Sequence, residues 1–163
     1  MTSRDALLAQ FDRETATTRR LLERMPADRL SWSPHPKSTS FAGLGRHLAH
    51  MISWGPPGLT AASTDVRDRP PLPPTPALAD ILHAFDANVA AVRALLAGRT
   101  DAELAEVWTL THEGQPILTS TRYAVVQSLI LSHMVHHRGQ LSVYLRLNDI
   151  PVPAIYGPSA DEA

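Results

Sequence analysis

His133 and His137 stand four residues apart in a 163-residue chain that carries eight histidines and no cysteine. On a helix, residues at that spacing stack on one face with Cβ atoms roughly 6 Å apart, so both imidazoles can reach one metal ion at nitrogen–metal distances of about 2.0–2.1 Å. The surrounding sequence supports a helix. Val126, Ile130, His133, His137, Gln140 and Tyr144 follow one another at intervals of four, three, four, three and four, the seam of an inward-facing helix. His136 points to another flank. A single core histidine is usually satisfied by a carbonyl or a neighbouring side chain. Two on the same buried face are harder to satisfy, because each unpaired polar group costs roughly 1–3 kcal/mol.

Two ligands from one helix leave the site incomplete, and an earlier helical segment offers a third. His47 falls within the apolar stripe Leu44, Leu48 and Met51, whereas His50 is displaced toward the side carrying Arg46 and Gly43. Spacing therefore favours His47 over His50. His35, His83 and His112 lie singly in loops or on a solvated face. Three neutral imidazoles leave the double positive charge of an ion unbalanced and leave coordination positions open, the arrangement of catalytic sites. Without cysteine the donors are nitrogen and oxygen only, which suits zinc or nickel first and tolerates iron or manganese. Asp12, Glu14, Glu113 and Gln140 are the polar residues nearest in the pattern, yet no spacing sets a carboxylate beside the metal, and no catalytic base is assigned.

The elements that must position these residues are helical. Leu7, Leu8, Phe11, Leu21, Leu22 and Met25, with Thr15 and Thr18, predict a first helix from Ser3 to about Met25. Pro26 to Lys37 is a connection with Trp32 as an apolar plug. Ser40 is an N-cap for the second helix, which Gly55-Pro56-Pro57-Gly58 is expected to stop. Thr60 to Pro76 is expected to be a long surface crossover. A third helix is expected from Thr75, with Pro76 at its first position, through Phe85 and Leu96 to Gly98; Thr100 and Glu103 form a capping box for one further turn. Val107 to Leu118 alternates like a small hairpin or irregular excursion around His112-Glu113-Gly114-Gln115. A last long helix is expected from about Ser120 to Asn148, ended by Pro151 and Pro153. The sum is an all-α four-helix bundle with a long crossover between helices 2 and 3, read as a single domain over residues 1–163.

The net charge of −1 offers no basic field for nucleic acid or acidic lipid. No apolar run is long enough to span a bilayer, and the first residues do not have the make-up of a secretory signal. The expectation is a cytoplasmic protein with no nucleic-acid or membrane partner.

The run His133-Met134-Val135-His136-His137-Arg138-Gly139-Gln140-Leu141-Ser142-Val143-Tyr144-Leu145-Arg146-Leu147, with Ile150-Pro151-Val152-Pro153 and the segment from Ile155 to Glu162, resembles the C-terminal signature of the DinB/YfiT-like family of candidate metalloenzymes. Ser40 through Trp54 is similar to that family's second-helix motif. The resemblance implies a four-helix bundle, often a homodimer, that binds a divalent metal through one second-helix histidine and a His-x-x-x-His pair. Those positions are His47, His133 and His137, the three that periodicity selects. His136 has no ligand role in the pattern. Related members include thiol-dependent enzymes such as bacillithiol transferases and mycothiol-dependent isomerases, so a low-molecular-weight thiol joins the list of expected small-molecule partners.

The reading that follows is a metal-dependent enzyme of hydrolase or thiol-dependent transferase type, acting on a small molecule. The alternative is a non-catalytic metal-binding stress-response protein whose ion holds two helices together. A bundle whose histidines form only a polar network is the third reading. A homodimer is expected, in part because Leu131, Leu141, Val143 and Ile155 exceed what one buried stripe requires.

Overall fold

The computed structural model describes residues 2–68 and 77–162. Helix α1 spans Ser3–Glu23 and opens on a reciprocal cap: Thr2 Oγ1 accepts from the Asp5 N–H at 3.1 Å, and Asp5 Oδ2 accepts from the Thr2 N–H at 3.2 Å. Its inward stripe runs Leu7, Phe11, Thr18, Leu21, and the Thr15 and Thr18 hydroxyls donate back to the carbonyls of Phe11 and Glu14. The polar members of the stripe are thereby satisfied within the helix. Helix α2 spans Phe41–Met51 and starts where the sequence places it, with Ser40 Oγ accepting from the Gly43 N–H at 3.2 Å.

The stop expected at Gly55-Pro56-Pro57-Gly58 does not occur. The backbone tightens through a 3₁₀ turn (Ile52–Trp54) and continues as α3 (Gly55–Thr60), with the prolines in its first turn, where an N–H has no helical partner to lose. Glycine is required at 55, because a Cβ there would lie 2.3 Å from Val92 Cγ2. The following segment differs from the surface connection expected: Ser63–Asp65 form a strand, β1, and Val66–Asp68 a 3₁₀ turn. The helix start expected at Thr75 and Pro76 falls outside the described residues. Helix α4 spans Leu78–Ala97, Asp80 accepting from the Ala77 N–H at 3.0 Å. The short α5 (Asp101–Ala105) opens on the Thr100–Glu103 capping box.

The excursion is a hairpin of β2 (Val107–His112) and β3 (Gln115–Thr121). Its two-residue turn has Glu113 at φ 52° and Gly114 at φ 76°, the double positive φ that matches the twist of antiparallel strands. The strand order is β1-β2-β3, with β1 parallel to β2 and β2 antiparallel to β3. Asp65 fastens the arrangement by accepting from the Gly114 N–H and the Thr111 hydroxyl, both at 3.2 Å. The Asp65 carboxyl is held well below the usual range, first by its side-chain hydrogen bond with Arg67 and then by the Arg67 N–H.

The last long helix begins at Arg122, two residues later than expected, because Thr121 ends β3 and caps α6 (Arg122–Ala124) through a 3.2 Å bond from the Ala124 N–H. Val125–Ser132 are π-helical, and α7 covers His133–Leu147. Along this helix Val126, Ile130 and Tyr144 are buried, but Gln140 is exposed and not part of the packed seam. Helices α1 and α2 each pack on both α4 and α7, enclosing Phe11, Phe41, Leu48, Phe85, Val92, Met134 and Leu141. Trp32 plugs one end, 5.3 Å from Phe41 and 5.6 Å from Tyr144 between ring centroids. Leu131 and Leu141 are buried within the chain, whereas Val143 is 55% exposed and Leu147 59%. Among the described residues no helix is long and apolar enough to cross a membrane.

Candidate metal centre

The middle of α2 faces the first two turns of α7, and the facing side chains are His47, His133 and His137. One ring nitrogen from each lies within 4.8 Å of the others, and all three residues are half-buried. His133 Nε2 is central, 2.8 Å from His137 Nε2 and 3.3 Å from His47 Nε2. Nitrogens bound at about 2.05 Å to one ion stand about 2.9 Å apart at a right angle and about 3.3 Å apart at a tetrahedral angle. Two of the three separations in this cluster fall close to those values.

The tautomer also fits. Gln140 Oε1 can only accept, so its 2.7 Å contact with His137 Nδ1 places the proton there. A neutral ring then presents a bare lone pair at Nε2, the atom that meets the cluster. The donor set therefore suits a borderline divalent ion with three nitrogen ligands and further positions open. His50, one turn beyond His47, is outside the cluster, and the exposed His136 ring only flanks His137, 4.8 Å between centroids. His35, His83 and His112 are exposed and are not part of the cluster.

The π-helical segment ends immediately before His133. Its wider turn is closed by Ser132 Oγ, which donates to the Gln127 carbonyl five residues back at 2.9 Å. The offset rotates α7 relative to an uninterrupted α-helix and sets which face His133 and His137 present to α2. Beside the cluster lies a cleft of about 320 Å³ lined by Thr39, Gly43, Leu44, Arg46, His47 and His137. Among the described residues, no carboxylate lines it. Asp12 is engaged bidentately by Arg93 at 2.8 and 2.9 Å, Glu113 sits at the hairpin tip, and Glu14 is committed elsewhere.

Glu14 belongs to a buried network that sequence spacing left unassigned. Arg138 Nη2 donates to Glu14 Oε2 at 2.7 Å and to Tyr156 Oη at 2.6 Å, while Tyr156 donates to Glu14 Oε2 at 2.8 Å. Arg138 Nη1 reaches the Glu14 carbonyl at 3.1 Å. The Tyr156 residue is 69% exposed, but desolvation of its hydroxyl at the pair and then the bond to Glu14 raise the phenol above its ordinary pKa. The signal was present in the sequence: Arg138 occupies the stripe Met134, Leu141, Leu145, and Glu14 the stripe Phe11, Thr18, Leu21. A lone charge in each of two apolar stripes, opposite in sign, marks a buried pair.

A family model described as the DinB superfamily matches residues 10–141. The chain is 27% identical over 164 residues to the Bacillus subtilis (strain 168) protein YrdA, covering 97% of this chain and 90% of YrdA. A DinB-like protein from Bacillus subtilis, YjoA, superposes with a TM-score of 0.71 at 21% identity, over 94% of this chain and 99% of that one. A DinB-like protein from Bacillus cereus ATCC 10987 does so with a TM-score of 0.66 at 25% identity, over 93% and 97%. YfiT from Bacillus subtilis, described as a probable metal-dependent hydrolase with an unusual four-helix bundle topology, gives 0.66 at 15% identity, over 90% and 87%. Because the family model spans most of the sequence, from α1 to the middle of α7, this chain belongs to the DinB superfamily.

Proposed function

We propose that the chain is a metal-dependent enzyme that binds one divalent ion through His47, His133 and His137 and activates water or a thiol against a small molecule. The observation that carries this reading is the convergence of three Nε2 atoms at 2.8 and 3.3 Å beside a cleft. A closed structural site would surround the ion with four protein donors, and among the described residues the cluster has three. The description of YfiT as a probable metal-dependent hydrolase is in keeping with it.

The ion's contribution would be Lewis acidity, lowering the pKa of water or a thiol toward neutrality. The chain does the rest. Gln140 fixes the His137 proton on Nδ1, α2 and α7 hold the three rings in register, and Leu44 supplies an apolar wall against which a substrate can shed water. Among the described residues no carboxylate lines the cleft, and on this reading the nucleophile's proton passes to solvent or to the substrate itself.

Zinc or nickel suits the donor set best, with iron or manganese next. The chain is further proposed to work in the cytoplasm as a homodimer, the exposed Val143 and Leu147 of α7 lying four residues apart on its outer face. Light scattering at micromolar concentration checks the dimer; a mass of 17.8 kDa would remove it.

The enzyme reading is tested on protein purified without a histidine tag. Elemental analysis should find about one divalent ion per chain, and a panel of ester, amide and thiol-transfer substrates should reveal turnover that chelation abolishes and the same metal restores. A full complement of tightly held metal with no turnover on any class would instead favour the non-catalytic metal-binding reading.

A further inference from the structure

We propose that Tyr156, which lies outside the cleft lining, is a positioning residue of the metal centre: from the C-terminal tail its hydroxyl locks the Glu14–Arg138 pair, and through Arg138 it holds the turn of α7 that carries His137 in register with α2. This rests on the metal-site reading above and adds to it a residue more distant in sequence than any ligand.

The tail brings Tyr156 to the pair by fastening itself on either side of it. Asp149, at φ 57°, turns the chain out of α7, and Val152 is buried in the core. Arg20 of α1 donates to the Ala154 carbonyl at 2.7 Å, and Glu162 accepts from the Ala154 N–H at 3.0 Å and from Arg24 at 2.9 Å. A tyrosine placed there for packing would bury its ring. Tyr156 leaves the ring in solvent and sends only its hydroxyl inward, where it accepts from Arg138 Nη2 and donates to Glu14 Oε2. The two bonds of that oxygen, and not apolar burial, are what its position supplies.

The turn it fastens is locally soft. His133 and His137 lie between the π-helical segment and Gly139, and glycine in a helix interior is less stable than alanine. No crowding calls for that glycine, because a Cβ at residue 139 would meet nothing within 4 Å. Successive helical residues stand about 100° apart, so Arg138 grips α1 while His137 faces α2. A rotation of α7 by about 10° would move a side-chain atom at a radius of about 5–6 Å by about 1 Å. The 3.3 Å separation of His47 and His133 spans the two helices and depends on that setting.

The test uses the full chain and cobalt(II), with affinity read by calorimetry and ligand geometry by the visible absorption of the bound ion. Tyr156→Phe removes one hydroxyl and keeps the exposed ring; it should weaken cobalt binding about threefold or more and alter the absorption bands. Gly139→Ala added to Tyr156→Phe should recover part of that affinity by stiffening the turn. Asp65→Asn, which loosens the sheet, is the control for a general loss of stability and should leave both readouts unchanged. Failure of the unaltered chain to bind cobalt would overturn the metal-site reading and this inference with it. Unchanged affinity and bands in Tyr156→Phe, a loss no larger than that of Asp65→Asn, or a loss that Gly139→Ala leaves in full would overturn this inference alone.

Discussion

Arg138, the residue after His137, makes a 2.7 Å ion pair with Glu14 of α1, and the two side chains are only 1% and 4% exposed. One face of the α7 backbone thus presents His137 to α2 while the next residue anchors the same turn to α1. Tyr156 closes the pair from the C-terminal tail, hydrogen-bonded to both partners, with the Arg138 guanidinium carbon 5.0 Å from the centre of its ring. The site's geometry therefore depends on a charge pair that never meets the cleft.

Removing one partner should be costly. Glu14→Ala leaves a buried guanidinium without its counter-ion, and unfolding in denaturant is expected to show a loss of about 3–5 kcal/mol. Replacing both residues by Met and Leu should cost much less than the sum of the single changes, as a double-mutant cycle would measure. Purely additive losses would mean that the pair does not act as a unit.

Gln140 should matter to metal affinity although it touches no other residue of the cluster. Gln140→Ala removes the acceptor for His137 Nδ1, and zinc affinity is expected to fall about 10-fold or more, while Gln140→Glu keeps an acceptor and retains most of it. Calorimetry of the two variants checks the order; equal losses would show that the contact does not orient the ring.

The tail should loosen in acid. Asp161 is held below the ordinary carboxylate pKa first by its side-chain hydrogen bond with Arg146 and then by the Val152 N–H at 2.9 Å. A folded-state pKa below the unfolded value of about 3.9 means that the carboxylate stabilises the fold fully above that pH and loses its contribution as pH falls through the folded value. Denaturation curves from pH 6 downward should therefore show Asp161→Asn destabilised by a constant amount until about pH 4, with the gap to the unaltered chain closing below it. A gap that widened in acid would reverse the sign of this argument.

Local chemistry made much of the bundle legible. Ser40 and Thr100 cap the helices they were expected to cap, the stripe from Leu7 to Met25 is buried apart from the half-buried Leu8, and the periodicity that chose His47, His133 and His137 picked side chains that the fold brings together. What escaped depends on distant partners or on hydrogen-bond offset. Ser63-Thr64-Asp65 reads as a polar loop because its strand character comes from pairing with Thr109–Thr111, more than forty residues away. The π-helical turn at Val125–Ser132 changes the acceptor and not the residue types, so a regular seam wrongly carried Gln140 inward. Gly55-Pro56-Pro57-Gly58 combines the strongest breaker residues, yet prolines in a first turn are compatible with a helix.

The central claim is that three particular histidines hold the ion, and calorimetric titration with zinc of five single alanine variants tests it most directly. His47→Ala, His133→Ala and His137→Ala should each abolish tight binding, since loss of one of three protein bonds leaves a site that competes poorly with water. His50→Ala and His83→Ala should bind nearly as the unaltered chain does. Equal losses for His50→Ala and His47→Ala, or tight binding that survives the loss of His133 or His137, would contradict the assignment.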